Sequence, residues 1–223
     1  DYNLGNITSI KRALAFLGYK SFITNDPEKI LKSPKIILPG VGAFPTAMKY
    51  LKEYNLIEAI NETQKKGNDI LGICLGMQLL MQFGNEFKKT KGLSLIEGEV
   101  LSINNIVKKK IKLPCIGWYK LNKNRENEVL KNINNDQWFY FVHSFMVSCK
   151  NKQNVIADYT INNISITAIV KKDNVRFYDD IASDYLNDAL GGGLKSQNYE
   201  RGRYAPEHER GVHHFHRILT QDH

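Results

Sequence analysis

Two short apolar runs, each breaking off into a glycine turn, limit what this chain can become. Lys35-Ile36-Ile37-Leu38 stops at Pro39-Gly40, and Asp69-Ile70-Leu71-Gly72-Ile73 runs into Cys74-Leu75-Gly76. Brief aliphatic runs bounded in this way read as strands buried on both faces. Around them the spacing turns helical. Ile10, Ala13, Leu14 and Leu17 share a face, with Thr8 or Ser9 as the start and Gly18 as the stop. Ala43–Tyr54, Leu56–Lys66 and Gly76–Phe83 also read as helices, the second ended by Gly67. Strand and helix alternating at this spacing predict an α/β fold with a parallel sheet covered on both sides.

After Gly92 the texture changes. Val100–Ile106, Lys112–Trp118, Trp138–Val147, Val155–Tyr159 and Ser165–Val170 are β-rich runs separated by Asn and Lys turns. They predict antiparallel hairpins that extend the parallel sheet or lie beside it. No internal repeat or low-complexity linker interrupts them. Beyond Val175 the composition shifts from Lys, Asn and Ile to Arg, His, Gly and Tyr. The expected organisation is one domain over 1–175 and a divergent tail over 176–223. Within the tail, Asp179–Leu190 has helical spacing and Gly191-Gly192-Gly193 would end it.

Composition narrows the function classes. An apolar share of 42% in 223 residues suits a globular domain with its own core. No apolar run reaches bilayer length, so no membrane partner is expected. The chain opens on Asp1 with no charged and apolar leader, which reads as no signal peptide and a few missing N-terminal residues. Cys74, Cys115 and Cys149 are odd in number and lack metal-type spacing, which points to a reducing cytoplasm. The net charge of +8 and pI of about 9.2 fit a lysine-rich solvated surface. Lys108-Lys109-Lys110 has no interleaved aromatics, so nucleic acid is not expected as a partner. An anion-binding module would rest on charge alone.

The chemistry concentrates in Gly72-Ile73-Cys74-Leu75-Gly76. A Gly-x-Cys-x-Gly sequence leaving a strand and entering a helix is the cysteine counterpart of a nucleophile elbow. Its glycines allow a sharp turn and close strand–helix approach, the turn exposes the sulfur, and the helix start favours thiolate. The Leu75 N–H then faces a developing oxyanion. A lone cysteine is more often a buried structural residue, and the strand–turn–helix setting is what argues otherwise here. Leu38-Pro39-Gly40-Val41-Gly42-Ala43-Phe44 is a loop able to supply a second donor, although Pro-Gly by itself marks only a turn. Trp138-Phe139-Tyr140-Phe141-Val142-His143-Ser144-Phe145 is aromatic enough to be core, with His143 a hydrogen-bonded structural histidine on that reading.

Taken in order, Asp1-Tyr2-Asn3-Leu4-Gly5-Asn6, the Leu38–Phe44 loop, Leu71–Leu80, Pro114-Cys115-Ile116-Gly117-Trp118 and Tyr140–Ser144 resemble the glutaminase subunit family of imidazole glycerol phosphate synthase. These are class I (triad) glutamine amidotransferases, and the resemblance covers Asp1 to about Val175. It implies a flavodoxin-like α/β domain, a mostly parallel central sheet flanked by helices with antiparallel strands added. It also implies hydrolysis of glutamine through a cysteine thioester, with ammonia passed to a (β/α)8-barrel synthase subunit in histidine biosynthesis. By the same resemblance Cys74 is the nucleophile. Gly40, Val41 and Leu75 form the oxyanion hole, and Gln78, His143 and Ser144 hold the glutamine. No cofactor or metal is implied. Related subunits serve sugar amination, and Trp118-Tyr119 with Cys115 leave that pathway open.

The family's Gln-Phe-His-Pro-Glu strand, which carries the base and its orienting carboxylate, has no counterpart at Arg176-Phe177-Tyr178-Asp179-Asp180-Ile181. Three readings follow: a frameshifted or mis-joined end, a tail that supplies His208, His213, His214 or His216 instead, or a non-catalytic partner-binding subunit. Pro206-Glu207-His208-Glu209 has similar letters in the wrong order. His213-His214-Phe215-His216 could ligate a metal. With no acidic or thiol partner at ligand spacing it reads as a solvated tail.

Overall fold

A computed structural model of the chain describes residues 1–108, 110–131, 133 and 137–178. The tail helix and the tail histidines lie outside the described residues. In chain order the helices and strands are α1 (Ile7–Phe16), α2 (Pro27–Lys32), β1 (Lys35–Leu38), α3 (Phe44–Glu53), α4 (Leu56–Lys65), β2 (Asp69–Ile73), α5 (Leu75–Leu79), β3 (Met81–Gly84) and β4 (Thr90–Lys91). Then come β5 (Ile96–Ser102), α6 (Ile103–Ile106), β6 (Cys115–Lys120), β7 (Asn122–Lys123), β8 (Trp138–His143), β9 (Phe145–Cys149), β10 (Val155–Ile161), β11 (Ile164–Lys172) and β12 (Val175–Tyr178).

Among the described residues the strands form a six-stranded sheet ordered β1-β2-β12-β11-β10-β7, a four-stranded sheet β4-β3-β5-β9 and a two-stranded ribbon β6-β8. In the first sheet β1, β2 and β12 run parallel and β11, β10 and β7 are added antiparallel. Asn162 and Asn163, both at positive φ, close the β10–β11 hairpin in two residues, the conformation a tight hairpin of right-twisted strands needs. Alternate residues of β2 enter different cores. Ile70 packs with Phe44, Leu51 and Ile60, whereas Leu71 and Ile73 pack with Ile10, Leu14 and Phe141. That division is why the run reads as continuously apolar.

The β1 and β2 ranges agree with the sequence reading, and other boundaries moved. α1 starts one turn earlier, because the Asn6 side chain, rather than Thr8 or Ser9, accepts the Ser9 N–H. Its end is a Schellman turn. Gly18, at φ 83°, donates to Ala15 and Tyr19 donates to Leu14. The expected Gly76–Phe83 helix stops at Leu79, since Met81–Gly84 pairs with β4 and β5 instead. The Val100–Ile106 run divides into the end of β5 and the short α6. Trp138–Val147 divides at Ser144 between β8 and β9, which belong to different sheets. Apolar content marked these runs as buried but could not say which sheet would receive them.

A cavity of about 460 Å³ borders the outer edge of β1, lined by Ile36, Leu38, Ile10, Phe22 and Tyr2 among others, and Cys74 is not part of it. Tyr2, Leu38 and Ile60 belong to the same core as Phe44, which is tight around that ring. That ring has no exposed surface, and a Cβ at Gly84 would lie 2.5 Å from it. Phe44→Ala is therefore expected to cost about 3–5 kcal/mol in urea unfolding, the range for emptying a site that cannot collapse. A cost under about 1 kcal/mol would mean that the ring is not packed as described.

Candidate functional site

The geometry around Cys74 follows from two glycines. Cys74 has φ 54° and ψ −119°, a conformation that L-residues avoid because Cβ crowds the backbone. It is held there by the close approach of β1, β2 and α5. A Cβ at Gly76 would stand 1.8 Å from the Leu38 carbonyl oxygen, and one at Gly72 would stand 2.8 Å from Met77 Cα. Only hydrogen fits at either position. The strand end and the helix start thus seat against each other, and the residue between Ile73 and Leu75 is forced into the strained turn. Cys74 is half-buried, whereas Cys115 and Cys149 are buried. Burial pushes the Cys149 thiol up to about 11, which leaves it protonated and inert at neutral pH.

Leu75 is the first residue of α5, so its N–H has no acceptor within the helix. α5 spans five residues, and any field at the sulfur comes from these first-turn N–H groups rather than from a long dipole. Gly40, buried, and Val41, 48% exposed, follow β1 after Pro39. A Cβ at Gly40 would lie 3.0 Å from Leu75 Cβ and 3.1 Å from Gly76 N. The two segments expected to supply oxyanion donors therefore meet around one backbone position. The loop's far end is fixed by Glu86, whose carboxylate accepts the Phe44 N–H at 2.7 Å. It stands in for the side-chain cap that Ala43 cannot provide at the start of α3.

The three expected glutamine-holding residues are placed differently. Gln78 lies one turn into α5, donating its N–H to the Cys74 carbonyl at 3.2 Å, and is 7% exposed. His143 ends β8 with its ring inside the core. Nδ1 is 2.8 Å from the Phe145 carbonyl, which can only accept, so Nδ1 carries the proton. Nε2 is hydrogen-bonded with the Tyr159 hydroxyl at 2.6 Å. Phe141 stacks on Tyr159 at 4.2 Å between ring centroids. Ser144 is half-buried between β8 and β9, its carbonyl accepting from Ile103 at 3.0 Å. His143 is the one histidine among the described residues, and its imidazole is committed to this buried pair.

The strand next to the elbow is β12. Its register sets Tyr178 opposite Ile73, the residue before Cys74. Two residues near the loop had gone without a role. Tyr2, 2% exposed, donates its hydroxyl to the Pro39 carbonyl at 2.5 Å. Glu86 gave no signal in sequence, because its partner is a backbone N–H far away along the chain. Among the described residues no group of three His, Cys, Asp or Glu side chains is arranged to hold a metal, and no helix is long and apolar enough to cross a membrane.

Comparison with known proteins gives a consistent result. The family profile described as glutamine amidotransferase class-I matches residues 1–178. The imidazole glycerol phosphate synthase subunit HisH of Lactococcus lactis is 44% identical over 175 residues, covering 78% of this chain and 84% of the relative. HisH of Sulfurimonas denitrificans is 38% identical over 176 residues, with the same shares covered. Among solved structures, PurLQS from Thermotoga maritima aligns with a TM-score of 0.62 at 20% identity, covering 98% of this chain and 94% of that one. A glutamine amidotransferase structure aligns with a TM-score of 0.61 at 16% identity, covering 84% and 95%. At such identities the structural matches speak for the fold alone.

The jammed elbow can be tested by contrast. Gly76→Ala sets a methyl against a backbone carbonyl that cannot move without breaking β1, and is expected to lower the urea midpoint severely or abolish soluble protein. Gly18→Ala, where nothing lies within 4 Å of the added methyl, is expected to cost only about 1–2 kcal/mol for its positive φ. Equal costs at the two sites would refute the close approach of β1 and α5.

Proposed function

The chain belongs to the class-I glutamine amidotransferase family, and on that premise we propose that it hydrolyses glutamine to glutamate and ammonia for an imidazole glycerol phosphate synthase. The observation that carries this reading is the strained, glycine-framed Cys74, with the Gly40-Val41 loop seated against Leu75. The Cys74 sulfur attacks the side-chain amide carbon, and the carbonyl oxygen becomes an oxyanion facing the N–H groups of Leu75 and the Gly40-Val41 segment. Collapse of that intermediate breaks the C–N bond, releases ammonia and leaves a γ-glutamyl thioester, which water then hydrolyses. Gln78 and the backbone of the His143-Ser144 turn are the groups we assign to glutamine, the His143 ring being used in the core.

Ammonia needs a consumer, and we assign that role to a (β/α)8-barrel synthase subunit, in keeping with the histidine-biosynthesis names of the relatives. The outer face of the β6–β8 ribbon offers a surface for it. Ile116, Trp118 and Lys120 pair across the strands with Val142, Tyr140 and Trp138. Ile116 is 55% exposed and Trp138 45%. A broad aromatic and aliphatic face of this kind suits a protein partner. The cytoplasm, where the pathway's soluble intermediates reside, is the compartment this reading requires. We keep residues 1–175 as the amidotransferase domain and 176–223 as a divergent tail.

A second reading rests on a specific observation: positions 176–181 contain no histidine, and His143 is occupied. On it the chain is a partner-binding subunit without turnover. Loss of a triad base costs on the order of 10⁴-fold, so the two are separable. With the synthase partner present, glutamine-to-glutamate turnover is expected for this protein and to fall below detection in Cys74→Ala. A stable complex with no turnover in either protein would establish the second reading.

A further inference from the structure

We propose that Tyr2 is a positioning residue that holds the Pro39–Gly40 peptide plane and so anchors the Gly40-Val41 segment that carries the loop's oxyanion donor. This deepens the glutaminase reading and rests on it. The Tyr2 hydroxyl donates to the Pro39 carbonyl at 2.5 Å, from a ring that is 2% exposed. A trans peptide is planar, with C=O and N–H on opposite sides. Pinning the Pro39 carbonyl therefore fixes the plane from which the Gly40–Val41 peptide and its N–H extend. The lock is needed because the loop itself has little stiffness. Pro39-Gly40-Val41-Gly42 contains two glycines, one of them at φ 114°, and glycine peptides turn at low cost.

Further contacts show that the N-terminal segment is built as a bed for this loop. The position of a Cβ on Gly40 would be 2.3 Å from the Tyr2 hydroxyl, so the phenol lies directly against the loop where it meets Leu75 and Gly76. Gly5 lies under the Pro39 ring, its Cβ position 3.5 Å from Pro39 Cγ, and that of Gly42 is 3.7 Å from Leu4. Asn3 ties the segment to α3's end by donating to the Tyr54 hydroxyl at 2.5 Å. The phenol also keeps its proton. Burial, and secondarily the neighbouring Cys74, hold its pKa well above the usual tyrosine value.

Tyr2→Phe removes the hydroxyl and leaves the ring. The test is steady-state glutamine hydrolysis with the synthase partner present, together with the rate at which iodoacetamide alkylates Cys74. Removing one oxyanion donor outright costs about 10²–10³-fold in kcat, and a donor only released from its lock is expected to cost about 10–100-fold. The expected result is that loss in kcat, with KM and the alkylation rate within about twofold of the parent. An unchanged kcat overturns the assignment, as does a rise, which would mean that the lock holds the donor away. A change confined to KM would make the hydroxyl a glutamine contact instead. A matching fall in alkylation would make its role structural. If the parent protein shows no turnover, the glutaminase reading fails and this inference fails with it.

Discussion

The backbone strain at Cys74 exists only because three pieces of chain are packed too closely for any other path. A residue held at φ 54° and ψ −119° costs on the order of 1–3 kcal/mol, and that cost persists only where the surroundings overdetermine it. Here the overdetermination is visible. The Leu38 carbonyl at the end of β1 occupies the space a side chain on Gly76 would need, and Met77 occupies that of Gly72. Parallel pairing of Leu38 with Gly72 brings the two strand ends level, so that the glycine loop after β1 and the elbow after β2 emerge side by side. Every feature of the candidate site depends on this alignment, including the convergence of Gly40 and Leu75.

What keeps the alignment rigid is burial on both faces of β2. One core, with Phe44, Leu51 and Ile70, lies on the α3 and α4 side, and the other, with Leu71, Ile73, Phe141 and Tyr159, on the α1 and ribbon side. The His143–Tyr159 pair belongs to the second core. An imidazole bonded at both nitrogens satisfies its polar atoms where an unpaired one would cost several kcal/mol. The ring of His143, itself one of the residues expected to hold glutamine, is thus engaged within the core. Tyr2 performs a comparable task for the loop, and Glu86 for the start of α3.

The legible parts of this molecule were those fixed by local pattern. β1 and β2 were readable because unbroken aliphatic runs ending in glycine have few other solutions, and the elbow because Gly-x-Cys-x-Gly between strand and helix imposes its own geometry. The end of α5 was not, since Leu80–Phe83 is apolar in a way that suits a helix or a strand, and pairing with the distant β5 decided it. The division of Trp138–Val147 between two sheets has the same origin. Tyr2 stood inside a recognised motif, but its acceptor lies 37 residues further along the chain, beyond what spacing can reveal. The segment at 176–181, where a base would be sought, was readable only as a departure. The place matters because β12, which ends at Tyr178, runs beside β2 to the level of Ile73.

The central claim is that Cys74 forms the acyl intermediate, and the direct measurement is to trap it. The protein, saturated with glutamine in the presence of its synthase partner, is quenched in acid and its peptides are weighed by mass spectrometry. The account predicts a γ-glutamyl group on the peptide containing Cys74, and none on those containing Cys115 or Cys149. Ammonia release with an unmodified Cys74, or with the acyl group on another residue, would contradict it.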